Sequence, residues 1–314
     1  MVLRPSVLCP IDFSESSRGA LRYARAIAAH FAARLTVLVV NDPLLGEAAA
    51  LAGIDADFPE DMLREIDRFV HQTLTERHRE GVDLRREVTT GKPAAEILRV
   101  SRDRHCDLIV MSSHGLSGFR KLFFGSTTER VLRETTVPVL VTPANDHGPK
   151  EIEEIPGLVR RILVPVDLTA ATAWQVRLAR GLGESLNRPL LLAHVIEPVR
   201  SVVAAQSRLI GIDTERRSRA ESELENILQT IPPSLTPEAL VAYGEPAEEI
   251  AKLAIDRNAG LIVMGLHSSP ITGPRMGSVT YRVLCQAPKL VLAIPPIHDA
   301  SQLPTVTYQM PVST

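Results

Sequence analysis

The chain has no excess of either charge, no long apolar run and few cysteines, and each shortage removes a class of function. Thirty-five Lys and Arg against 37 Asp and Glu leave a formal charge of -2, so no overall field draws the protein to nucleic acid or to an anionic membrane surface. Apolar runs such as Leu35 to Val40 and Leu261 to Met264 fall far short of the roughly 20 residues a spanning helix needs, and the chain is read as not membrane-embedded. Cys9, Cys106 and Cys285 are odd in number and lack a paired spacing, which argues against a disulfide framework and a zinc site and leaves them as small core residues. Met1 to Asp12 carries one Arg, but its apolar stretch is broken by Pro5 and Pro10 and runs into an acid. It does not read as a secretory leader, and the cytoplasm is the expected compartment.

What the chain does have is enough apolar sequence to fold. At 314 residues, 45% hydrophobic and 23% charged, it suits two domains of ordinary size better than one core. It also repeats itself. Val7-Leu-Cys-Pro-Ile-Asp12 recurs as Ile162-Leu-Val-Pro-Val-Asp167, and the same offset aligns Leu35 with Leu190 and Val40 with Val195. Further on, Gly91-Lys-Pro-Ala-Ala-Glu-Ile97 matches Gly244-Glu-Pro-Ala-Glu-Glu-Ile250, Leu108 to Met111 matches Leu261 to Met264, and Gly125-Ser126 matches Gly277-Ser278. One module has been duplicated. Pro143 to Leu158, rich in Pro, Gly and charge, reads as a linker. The expected division is residues 1–145, a linker 146–158, residues 159–297, and a polar tail 298–314 with nothing periodic in it.

Within each copy, short apolar runs alternate with longer segments of helical period, the pattern of a parallel sheet covered by helices on both faces. Strands are expected near 6–10, 35–40, 83–89, 107–111 and 137–142. A helix near 16–33 carries Leu21, Ala24, Ala28 and Phe31 on one stripe, and Pro59-Glu60-Asp61 opens another through Ile66, Phe69, Val70 and Leu74. In such sheets ligands bind beyond the carboxyl ends of the strands, which directs attention to the loops after Pro10-Ile11, after Val40 and after Met111.

The last of these joins a buried strand to a helix through Ser112-Ser113-His114-Gly115-Leu-Ser-Gly118 and on to Gly125-Ser126-Thr127-Thr128. Glycine lets the backbone approach a phosphate, and the amides opening a helix supply donors and a favourable dipole. Neither a Walker loop nor a Gly-x-Gly-x-x-Gly turn is present. The residues alone leave a second reading open, in which Gly115 and Gly118 make turns and Ser126 with Glu129 forms a capping box.

Ser112, Gly115, Gly125 and Ser126 fall at the spacing of the universal stress protein motif (Gly, two residues, Gly, nine residues, Gly-Ser/Thr), and by them the chain resembles that family over both halves. Ser112 stands where the motif's first Gly is usual. The resemblance implies two tandem Rossmann-like domains of the adenine nucleotide alpha hydrolase-like type, α/β throughout, each with a five-stranded parallel sheet and helices on both faces. It implies a site for ATP, or ADP or AMP, with Mg²⁺ held by phosphates and water. The nucleoside side is then Pro10, Ile11, Asp12 and Val40, and the phosphate side Met111, Ser112, Ser113, His114, Gly115, Gly125, Ser126, Thr127 and Thr128. Asp12 suits ribose or adenine, unless it caps a helix in competition with Ser14 or Ser16; Arg120 and Lys121 read as solvated surface. It also implies pairing through the last strands, Val137 to Val141 and Leu290 to Ile294, as an internal pseudo-dimer, with a homodimer open.

In the second copy Asp167, Val195, Gly265, Gly277 and Ser278 still match, but Ser268 replaces the middle Gly, and Pro270 and Pro274 remove donors from the loop. A weaker phosphate site is expected there. No nucleophile and base set recurs with a strained elbow, and His114 and His267, at equivalent positions, lack a visible acid partner. The sequence reads as a nucleotide-responsive regulatory protein, against an alternative in which the loops are relics on an interaction scaffold. Residues 44–58 form an Ala-rich excursion that suits either a lid or a contact surface.

Overall fold

The structure is a computed structural model, and it describes residues 4–41, 43, 58–74, 82–114, 125–198, 206–266 and 277–296. The first repeat runs β1 (Ser6–Pro10), α1 (Glu15–His30), β2 (Arg34–Asn41), α2 (Phe58–Thr73), β3 (Asp83–Thr90), α3 (Pro93–Asp103), β4 (Leu108–Ser112), α4 (Ser126–Glu134) and β5 (Val139–Thr142). The second follows the same order with β6 (Ile162–Pro165), α5 (Thr172–Leu186), β7 (Leu190–Ile196), α6 (Gln206–Leu228), β8 (Glu238–Tyr243), α7 (Pro246–Asp256), β9 (Leu261–Gly265), α8 (Ser278–Gln286) and β10 (Leu290–Ile294). Each half is a five-stranded parallel sheet, and the two join in one ten-stranded sheet of order β3-β2-β1-β4-β5-β10-β9-β6-β7-β8.

The strands are apolar at successive positions because both their faces are covered. Val7 and Cys9 pack in one layer with Leu21 and Ala24 of α1 and Ile66 and Phe69 of α2. Leu8, between them, packs in the opposite layer with Ile97 of α3 and Val131 and Leu132 of α4. Leu8, Leu35, Leu163 and Leu190 are fully buried, each stabilising by about 1.5–3 kcal/mol relative to exposure. Cys9 and Cys106 are small buried residues of these layers, while Cys285 is half-buried.

The halves meet where β5 and β10 run antiparallel, with Leu140 opposite Leu292 and Val141 opposite Val291. Leu140 and Leu292 share one layer, Val141 and Val291 the other, so the alternation carries across the junction. Two apolar edges are thereby removed from solvent. The edges left are β3 and β8.

Three expectations shift. The first helix closes at His30 rather than 33, because Ala32 takes a left-handed φ of 49° and the Ala33 amide turns back to the Ala28 carbonyl. The last strand of the first repeat starts at Val139 rather than 137, since the Thr135 hydroxyl donates to the Val137 carbonyl and accepts from its amide, holding it in a turn. The segment between the repeats is not a loose linker. It lies along α1, with Ser16 Oγ donating to the Ala144 carbonyl at 3.1 Å, Arg22 to the His147 carbonyl at 2.6 Å and the Tyr23 hydroxyl to Asp146 at 2.9 Å. Burial, and then the Asp146 carboxylate, push the Tyr23 phenol up. Gly19 makes this contact possible: a Cβ there would lie 2.0 Å from the Asp146 carbonyl oxygen. Farther along, burial holds the Arg25 guanidinium below its usual range against the pull of Glu151 and Glu153.

Candidate functional site

The β1–β4 ladder holds only Val7 with Leu108 and Leu8 with Ile109. Beyond these the strands part, and their connections leave to opposite sides of the sheet, which opens a crevice at the carboxyl ends. Pro10 ends β1, and Ile11 turns its amide to the Leu38 carbonyl at 2.8 Å. Asp12, half-buried, accepts through Oδ1 from the Ser14 amide at 3.1 Å and the Ser14 hydroxyl at 2.6 Å. Ser14 is the residue that caps α1, accepting from the Ser17 amide, and Ser16 is committed to the segment between the repeats. Asp12 therefore braces the turn rather than capping the helix. Phe13 between them has φ 63°, a left-handed conformation that costs a bulky residue strain, and its ring packs edge-on against Phe69 of α2 at 5.5 Å. Nothing in the sequence marks Phe13 for it. Val40 lies half-buried near the end of β2, opposite Thr89.

On the other wall, Met111, Ser112 and Ser113 are buried. The Ser113 amide donates to Thr142 at 2.9 Å, and the Ser112 carbonyl accepts from the Thr128 hydroxyl at 2.9 Å. The Ser112 hydroxyl donates to the His114 carbonyl, and the Ser113 hydroxyl sits 3.0 Å from His114 Nδ1. His114 Nε2 is shielded from solvent and has no hydrogen-bond partner among the described residues, and the buried Thr142 hydroxyl is in the same state. The position of Thr142 was not singled out in the sequence, where it reads as the end of an apolar strand.

Gly125 caps α4 with no side-chain bond, and its amide donates to the Ser113 carbonyl at 2.9 Å. A Cβ on Gly125 would stand 3.1 Å from that oxygen, so glycine is needed for close approach and not for its φ of -61°. Ser126 is exposed, Thr127 half-buried and Thr128 buried. Glu129 pairs with Arg133, so the capping box with Ser126 is not formed. The opening amides of α4 thus end in a positive dipole terminus beside the loop of Ser112 to His114. Pro10 to Asp12, Met111 to His114 and Gly125 to Thr128 are brought around one crevice. Gly115, Gly118, Arg120, Lys121 and residues 44–57 lie outside the described residues.

The second repeat keeps the frame and loses a contact. Asp167 Oδ1 accepts from the Thr169 amide at 3.1 Å and hydroxyl at 2.8 Å, with Leu168 at φ 58°. Thr280 donates to the Gly265 carbonyl at 3.1 Å, and Val195 pairs with Ala242. Gly277, however, has no atom of the described residues within 4 Å of where a Cβ would stand. The docking of helix start on strand end seen at Gly125 is not reproduced, and Ser278 is exposed. Glu245 caps α7 and pairs with Arg282 on α8, whereas its counterpart in the first repeat is the exposed Lys92. His267, Ser268, Pro270 and Pro274 lie outside the described residues. Among the described residues no three His, Cys, Asp or Glu side chains converge on a metal position, and no helix is long and apolar enough to cross a membrane.

A sequence profile described as the universal stress protein family matches residues 4–143 and 159–295. Universal stress protein MJ0577 of Methanocaldococcus jannaschii is 26% identical over 155 residues, covering 45% of this chain and 95% of its own length. Universal stress protein YxiE of Bacillus subtilis is 32% identical over 143 residues, covering 43% and 96%. The crystal structure of a universal stress protein from Archaeoglobus fulgidus shares the fold over 92% of this chain and 96% of its own, with a TM-score of 0.61 and 24% identity.

Proposed function

The chain belongs to the universal stress protein family as a tandem of two of its domains, and from that premise we propose that its first repeat binds an adenine nucleotide and acts through it as a cytoplasmic regulatory protein of the stress response. The observation that carries the reading is the docking of α4 onto β4 through Gly125 and Ser113. It sets helix amides without a side-chain cap beside the strand end at Ser112 to His114, which suits a phosphate. Asp12 and the Val40 backbone face the nucleoside, and Ser112, Ser113, His114, Gly115, Ser126, Thr127 and Thr128 surround the phosphates. The unpaired His114 Nε2 is available as a phosphate contact. With ATP or ADP, Mg²⁺ is held by the phosphates and water, since the protein offers no acidic cage of its own among the described residues.

Nucleotide occupancy in this reading biases conformation or association, and the second repeat, with its undocked Gly277 and acidic Glu245, serves as a scaffold half. The test is to purify the chain without added nucleotide, denature it, identify what is released, and titrate ATP by equilibrium dialysis. One site per chain is expected, weakened at least about tenfold by Gly125→Val, since the valine drives against Ser113. Absence of any released or titratable nucleotide sinks the proposal in favour of an interaction scaffold.

A further inference from the structure

In a parallel ladder, alternate residues present N–H and C=O to opposite neighbours. The Ile109 amide donates to Pro138, on the β5 side, so Leu108 and Val110 face β1. The residue of β1 next in line to donate to the Val110 carbonyl is Pro10, which has no N–H. Pro165 has the same relation to Val263 in the second repeat, whose β6–β9 ladder also stops after two pairs. There the deficit is repaired by a side chain. Gln175, buried in α5, donates from Nε2 to the Val263 carbonyl at 2.8 Å and to the Pro165 carbonyl at 2.6 Å. Its counterpart in α1 is Ala20, also fully buried and without a polar atom.

The Val110 carbonyl thus lacks its ladder donor and, with Ala20 in the place of Gln175, a side-chain amide to replace it; a buried carbonyl left without a donor is costly, and this one lies where the two-pair β1–β4 ladder ends, at the switch point. With the base over β2 at Val40 and the phosphates at the start of α4, the part of a nucleoside that spans the gap between β1 and β4 is its sugar. Sugar hydroxyls are donors; phosphates are not. We propose that position 20 in the first repeat and 175 in the second decide which crevice accepts a nucleoside: over Ala20 the strand-end carbonyls of Pro10 and Val110 take a hydroxyl of the bound sugar, while Gln175 satisfies and fills the same place in the second repeat. The proposal rests on the nucleotide reading above.

The test uses the full chain and ATP with its 2′-deoxy and 3′-deoxy analogues. Gln175 shows that this frame accepts glutamine, so A20Q should fold, melt no lower than the parent, and bind ATP at least about tenfold more weakly. At least one deoxy analogue should bind the parent about tenfold more weakly than ATP, and that difference should collapse in A20Q, as expected for coupled groups. ATP binding by A20Q equal to the parent's overturns the proposal. So does a parent indifferent to both hydroxyls, a measurement that needs no variant. If the parent binds ATP and only these contrasts fail, the nucleotide reading stands; if it binds no adenine nucleotide, both fall.

Discussion

Gly19 and Gly181 offer a paired test in which one substitution, Gly→Ala, acts with opposite sign at two helix positions. Both lie in helix interiors, α1 and α5, where Ala is favoured over Gly by about 0.5–1 kcal/mol. At Gly181 nothing lies within 4 Å of the added methyl, so Gly181→Ala should raise stability by about that amount. At Gly19 the methyl would stand 2.0 Å from the Asp146 carbonyl oxygen, where real Cβ contacts stay above 3.0 Å. The segment has to lift by about 1 Å. That lift loosens the part-buried bond of Tyr23 to Asp146, at about 1–3 kcal/mol for a partner left unsatisfied, and the exposed bond of Arg22 to the His147 carbonyl, at about 0.5–1.5 kcal/mol. With the helix gain subtracted, Gly19→Ala should lose roughly 1–3 kcal/mol. Urea unfolding followed by circular dichroism measures both variants, with the slope against urea unchanged if only stability has moved. A Gly19→Ala chain as stable as Gly181→Ala would refute the argument that the segment is clamped across this glycine.

Alkaline pH should destabilise the fold through its buried acids. Burial raises the Cys9 and Tyr23 values in the folded chain, so their contribution is whole below the unfolded values of about 8.5 and 10 and is lost as pH rises through them, by up to about 1.4 kcal/mol per pH unit for each group. Denaturant midpoints between pH 8 and 10 should fall, with a shallower slope in Cys9→Ala; an equal slope in that variant would remove Cys9 from the account. Gln175→Ala strips two hydrogen bonds and leaves the Val263 carbonyl without its donor, so it should cost about 2–4 kcal/mol in urea unfolding. A loss under about 0.5 kcal/mol would mean that the amide is not sealing the strand ends.

The architecture was legible because its signals are redundant. Strands covered on both faces must be apolar at every position, and the runs at Leu35 to Val40 and Leu108 to Met111 say so twice, once per repeat. The strand-end loops were legible for the same reason, since a doubly wound sheet leaves few places for a ligand. Contacts that depend on one atom were not. The clamp over α1 rests on the missing Cβ of Gly19, and a glycine inside a helical period carries no sign of what crosses it. Asp12, Ser14 and Ser16, within five residues, compete in the sequence for the same amides, and only the structure shows that Ser14 takes the cap and Asp12 accepts from Ser14. Gln175 reads as one polar residue on an otherwise suitable helix, and its meaning appears only beside Pro165 and Val263. The capping box between Ser126 and Glu129 fits the sequence rule, yet Arg133 one turn on takes the carboxylate.

Comparison of the repeats separates what the frame requires from what a ligand would. Left-handed backbone recurs at Phe13 and Leu168, at Ala32 and Asn187, and at His105 and Asn258, although the residue type changes at every pair. The Asp to Ser or Thr brace and the Thr128 and Thr280 hydroxyls on strand-end carbonyls recur as well. Other positions have changed: Gly125 docks on Ser113 and Gly277 has no such contact among the described residues, Lys92 stands opposite Glu245, and Ala20 opposite Gln175. A half that had lost all purpose would be free to lose the frame too, since strained turns on bulky residues persist only where surrounding structure holds them. The junction supplies the reason to keep it. β10 covers the apolar edge of β5 along Val139 to Val141, so unfolding the second repeat would expose an aggregation-prone edge of the first. Differences such as Ala20 against Gln175 and Lys92 against Glu245 leave the strand order of each half intact, which is what retention of the junction requires.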